Sequence, residues 1–81
     1  MTAADPVSEQ LAEAIRAALP DAVVEVRPQS PGHYALRVVS AAFEGKGLLD
    51  KQRLVYAAIA PLMKGDAAPV HAIDHLETQV P

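Results

Sequence analysis

The sequence predicts a two-layer α+β domain in the order helix, strand, strand, helix, strand. Two segments repeat their apolar residues at helical spacing, one near the start of the chain and one from Asp50 onward. Two segments between them carry the alternation of half-buried strands, and a further one closes the chain. Elements in this proportion bury their apolar faces when the helices cover one side of a small sheet.

The first helix opens at Asp5-Pro6, where Asp suits the N-cap and Pro the first helical position. Val7, Leu11, Ile15 and Leu19 then form a stripe, flanked by Ala14 and Ala18, with Glu9, Glu13 and Arg16 off it. Pro20-Asp21 ends it. Residues 22–27 (AVVEVR) alternate as a strand, and PQSPG is a turn by composition. Residues 33–40 (HYALRVVS) form a second strand, antiparallel to the first, with Tyr34, Leu36 and Val38 on one face. FEGKG is a loop whose two glycines are expected to take backbone angles closed to other residues. From Asp50 the second helix carries Leu54, Val55, Ala58, Ile59 and Leu62. Pro61 weakens its last turn, and Lys64-Gly65 is the expected end. After the turn DAAP, VHAIDHLET reads as a less cleanly alternating third strand.

Composition excludes several function classes. The chain has 81 residues, no cysteine, three aromatics and a formal charge of −3, from 7 basic and 10 acidic side chains. It is expected to be one domain spanning residues 1–81. A chain of this size buries only about 60% of its unfolded surface, which leaves room for one core and no deep pocket. Without cysteine there is no disulfide scaffold and no all-thiolate metal site. Few aromatics and an acidic balance argue against a base-stacking or charge-driven grip on nucleic acid. The opening residues lack a basic stretch followed by an apolar run, and no 18-residue apolar stretch exists. A cytoplasmic protein without a membrane segment is therefore expected.

The histidines are the first candidates for chemistry. His71 and His75 lie four apart in one expected strand, which separates them by roughly 13 Å, too far to chelate one ion. His33 and His71 each begin a strand. Parallel neighbouring strands would bring them to one end of the sheet as half of a ligand set. Against this stands a strand-end His71 satisfied by backbone hydrogen bonds. Ser8, Ser30 and Ser40 lack a Gly-x-Ser-x-Gly context, so nucleophilic catalysis is not expected. Gly45-Lys46-Gly47 before a helix lacks the full spacing of a phosphate loop. Lys46, Lys51 and Arg53 cluster at the start of the second helix, suited either to a phosphate backbone or partner carboxylates, or to simple solvation.

The string VVSAAFEGKGLLDKQRLVYAAI, followed by VHAI, resembles the BolA-like family. Ser40, Phe43, Gly45, Arg53, Val55, Tyr56, Val70, His71 and Ala72 carry the match, and Gly32-His33-Tyr34 resembles the Ser-His-Phe that begins the family's second strand. The resemblance covers about residues 7–78. Lys51-Gln52-Arg53 stands where Arg-His-Arg is common, which is similar to a branch with Lys-Gln there. The loop cysteine of some members is absent, and TQVP stands where the family often continues into a C-terminal helix.

The resemblance implies a class II KH-like αββαβ fold. It has a helix-turn-helix-like turn and a mixed three-stranded sheet in which the second and third strands run parallel. It implies a non-enzymatic adaptor in iron–sulfur cluster assembly or trafficking. The partner is a monothiol glutaredoxin, and the shared [2Fe–2S] cluster takes thiolates from the glutaredoxin and glutathione. The matching ligand on this chain is His71, with His33 the only candidate for a second; the isolated chain is expected to hold no cofactor. The alternative is a DNA-binding transcriptional regulator using residues 48–63 with Lys46, Lys51 and Arg53. A second copy of the chain is a further partner left open.

Overall fold

The computed structural model describes residues 5–81. Helix α1 (Pro6–Ala18) presents its predicted stripe to the sheet, with Leu11 and Ile15 fully buried and Leu19 nearly so. The Asp5 side chain does not cap the helix. Its Oδ2 instead accepts hydrogen bonds from Ser8 Oγ (3.2 Å) and from Tyr34 Oη (3.0 Å) in the second strand. The residue read as a local cap is thus a tether between helix and sheet.

Strand β1 (Val23–Pro28) pairs antiparallel with β2 (His33–Val39), from Val23 opposite Val39 to Pro28 opposite Tyr34. In β2, Tyr34, Leu36 and Val38 are buried, and His33, Ala35, Arg37 and Val39 stand on the other face. Ser40 lies beyond the strand and is completely buried. Its Oγ donates to Asp21 Oδ1 (2.7 Å) and accepts from Ala42 N (3.1 Å), while Asp21 Oδ2 accepts from Ala41 N (2.7 Å). This clasp starts the 3₁₀ turn Ala41–Phe43, which seats Phe43 in the core.

Helix α2 runs Leu48–Ile59, two residues earlier at its start than the apolar repeat suggested. Of the two loop glycines only Gly45 uses a left-handed conformation (φ +76°); Gly47 is extended at φ −73°. Pro61 decides the end. Having no N–H to continue the ladder, it sits in a 3₁₀ turn, Ala60–Leu62, so the helix stops before Lys64-Gly65. Val70 N then donates to Leu62 O (3.1 Å), which folds the following segment back against the helix end.

Strand β3 (Ala72–Gln79) runs parallel to β2, giving a mixed sheet in the order β1-β2-β3. Tyr34 faces Ile73 but Ala35 faces His75, so Asp74 is an extra residue on β3. Both helices pack on the face carrying Tyr34, Leu36 and Val38. Val55, Ile59 and Phe43 complete the core with Leu11 and Ile15. The opposite face is open and polar. There Arg37 donates through Nε to Glu77 Oε2 (2.9 Å) and through Nη2 to Gln79 Oε1 (2.8 Å), with Glu25 3.6 Å away. Among the described residues no helix is long and apolar enough to cross a membrane.

Candidate functional site

Parallel pairing of β2 with β3 brings His33 and His71 to one end of the sheet. His33 is the first residue of β2 and faces Ala72, the residue after His71. The two side chains have different surroundings. His33 stands on the open face, where its Nδ1 lies 2.9 Å from Asp74 Oδ1. His71 lines a shallow depression of about 200 Å³ with Met63, Gly65, Asp66, Ala68 and Val70, the segment that follows α2.

The backbone N–H groups around His71 are hydrogen-bonded. Its N–H donates to Gly32 O at 2.8 Å, and the Ala72 N–H donates to the same oxygen at 3.1 Å. Val70 beside it is buried. The imidazole itself is exposed, and no hydrogen bond engages its ring nitrogens among the described residues. A fixed backbone carrying an exposed, unengaged ring is the arrangement of a side chain offered outward. Backbone hydrogen bonding at the strand end, one of the two readings weighed for His71 in the sequence, is present and leaves the residue exposed.

His75 pairs with Ala35 on the open face and lines a second depression, of about 340 Å³, with Glu25, Arg27, Arg37 and Glu77. The extra residue Asp74 interrupts the alternation that would have put His71 and His75 on one face. The Ser40 hydroxyl donates into the Asp21 clasp and the Ser8 hydroxyl to Asp5 Oδ2. Among the described residues no group of three or more His, Asp or Glu side chains could hold a metal ion.

Lys46, Lys51 and Arg53 surround the start of α2, with Arg53 Nη1 3.6 Å from Asp50 Oδ1. The large apolar side chains of Leu48, Leu49 and Tyr56 are exposed on the same helix. A helix of this length rises about 18 Å, and His71 lies near its other end, beside Met63. The basic cluster and His71 therefore do not form one site. Gly32 and Asp74, which touch the two histidines, were not singled out by sequence reasoning. Gly32 reads as the end of a turn and as the start of the Gly32-His33-Tyr34 match, neither of which points to His71, and the one trace of Asp74's role is the imperfect alternation of β3.

A family model described as BolA-like protein matches residues 9–81. The chain belongs to the BolA-like family. It is 42% identical over 66 residues to an uncharacterized protein in the rpoN-murA intergenic region of Acinetobacter guillouiae, covering 82% of this chain and 76% of that one. It is 35% identical over 80 residues to BolA-like protein 1 of Mus musculus, covering 88% of this chain and 56% of that protein, so it spans just over half of that relative. The solution structure of mouse BolA1 superposes with a TM-score of 0.76 at 31% identity, covering 100% of this chain and 70% of that one. The BolA domain of SufE1 from Arabidopsis thaliana gives 0.75 at 25% identity, covering 98% and 96%. The αββαβ order and the mixed three-stranded sheet expected from the resemblance are thus observed.

Proposed function

We propose that this BolA-like chain is a non-enzymatic adaptor in iron–sulfur cluster handling. Its cargo is a [2Fe–2S] cluster shared with a monothiol glutaredoxin and glutathione, and its own contribution is His71. The observation that carries this reading is the exposed His71 ring, unengaged on a backbone held by two hydrogen bonds to Gly32 O. The donor chemistry fits. The chain has no thiolate to offer, so the sulfur ligands come from the glutaredoxin and glutathione, and His71 supplies a third ligand of the four that a [2Fe–2S] cluster requires. Histidine in place of thiolate raises cluster potential, which suits a cluster in transit. His33 is the weaker candidate because it stands on the opposite face of the sheet from the depression that His71 lines.

Anaerobic co-purification with a monothiol glutaredoxin, followed by iron and sulfide analysis, tests the proposal. Iron and sulfide in equal amounts in the mixed complex support it; a complex free of both contradicts it. His33→Ala, assayed in parallel, is expected to retain the cluster.

A second reading is duplex DNA binding through the start of α2, favoured by Lys46, Lys51 and Arg53 on one short segment. Salt-dependent binding lost in Arg53→Glu would support it. No binding at about 50 mM salt, where electrostatic affinity is strong, would reject it.

A further inference from the structure

Gly32 meets His71 in two ways. Its carbonyl oxygen accepts both the His71 and Ala72 N–H groups. Its bare Cα also leaves the space in which the imidazole lies. A Cβ placed on Gly32 would stand 2.8 Å from His71 Cδ2, 2.9 Å from Cγ and 3.3 Å from Cβ. Real Cβ atoms do not approach so closely, and the clash falls on the stem of the ring. The histidine cannot relieve it by moving a distant tip; its χ1 or its backbone must change. Gly45 and Gly65 also have positive φ, yet an added Cβ at either meets nothing within 4 Å. Steric need for a missing side chain is therefore particular to Gly32 among these three.

We infer that Gly32 is the positioning residue of His71: the turn between β1 and β2 sets the rotamer in which the ring is presented. The turn is itself fixed, since Gln29 N donates to His33 O (2.9 Å) and His33 N to Ser30 O (2.8 Å). A rigid hairpin end thus serves as the seat for a side chain 39 positions further along the chain. The atoms nearest a Cβ added at Gly32 are Cδ2, Cγ and Cβ of His71, and neither ring nitrogen is among the three. The seat concerns the isolated chain; only its consequence for cluster binding rests on the function proposed above.

Gly32→Asn separates the seat from backbone strain, because Asn tolerates positive φ but carries a Cβ. Gly45→Asn is the control for φ alone. In the wild type, NMR should show one His71 χ1 rotamer and a nuclear Overhauser contact between His71 Hδ2 and the Gly32 Hα protons. Folded Gly32→Asn should lose that rotamer and shift Hδ2, while Gly45→Asn leaves both unchanged. Retention of rotamer and shift in Gly32→Asn overturns the inference. Rotamer-averaged couplings at His71 in the wild type overturn it as well, and need no variant to fold. With a cluster-loaded monothiol glutaredoxin, Gly32→Asn should reduce the spectral change in the direction of His71→Ala. If His71→Ala reduces it and Gly32→Asn does not, positioning is refuted. If His71→Ala has no effect, the ligand reading fails and the seat stands on the NMR result.

Discussion

His33 Nδ1 and Asp74 Oδ1 stand 2.9 Å apart on the open face of the sheet, joining the first residue of β2 to the extra residue of β3. The pair fixes which nitrogen of a neutral His33 ring carries the proton, leaving Nε2 as the free acceptor. Both side chains are near half-exposed, which keeps the pair's energetic worth small. Asp74→Ala is expected to cost less than about 1 kcal/mol by urea denaturation. Nitrogen NMR should show a change of tautomer population at His33, with the His71 resonances unmoved. A coupled shift of both rings would show that the two histidines act as one site.

The Asp21 clasp predicts an acid-sensitive joint between the two ends of the β1–β2 hairpin. The Ala41 N–H, then the Ser40 hydroxyl, hold the Asp21 carboxyl below its ordinary value near 3.8. A carboxylate depressed in the folded state lends stability that is present above its unfolded value and lost as pH falls through its folded one. Urea midpoints should therefore fall on acidification below about pH 3.8, and Asp21→Asn should flatten that fall. An unchanged slope in Asp21→Asn would remove the clasp from the account.

Tyr34 predicts the opposite dependence. Burial first, then the hydrogen bond to Asp5 and the charge of that carboxylate, push the phenol above its ordinary value of 10.0. The folded state thus favours the neutral phenol, and its contribution is lost as pH rises through the folded value. Tyr34→Phe should cost about 1.5–3 kcal/mol at neutral pH, the worth of a hydrogen bond to a charged group. It should also lessen the alkaline loss of stability. Thermal and urea unfolding of the variant check both.

Thr78 lies opposite Val38 on the packed face, and its buried Oγ1 has no hydrogen-bond partner among the described residues. Thr78→Val replaces that hydroxyl with a methyl group of similar shape. It is expected to stabilise the fold by about 1 kcal/mol, read as a higher urea midpoint at unchanged slope.

The parts of this molecule legible in sequence are those ruled by local periodicity. Leu11 and Ile15 face the core because a stripe every four residues has one inner side, and Tyr34, Leu36 and Val38 because a strand has two. Boundaries set by competing local forces were less legible. Pro61 was recognised as disruptive, but that it outweighs the cap residues Lys64-Gly65 shows only in the structure. Contacts across the fold left little trace. Asp5 looks like a cap because nothing nearby reveals Tyr34 Oη, and the fit of His71 onto Gly32 depends on a parallel pairing that periodicity does not specify. His71 is a candidate from its place at a strand start, and the family context is what singles it out as the ligand.

The central claim is that His71 is this chain's ligand to a cluster held jointly with a partner. The most direct measurement is visible absorption of a cluster-loaded monothiol glutaredoxin on addition of the wild-type chain and of His71→Ala. The account predicts a changed cluster spectrum with the wild type and the glutaredoxin's own spectrum with the variant. The same spectral change with both proteins would contradict it.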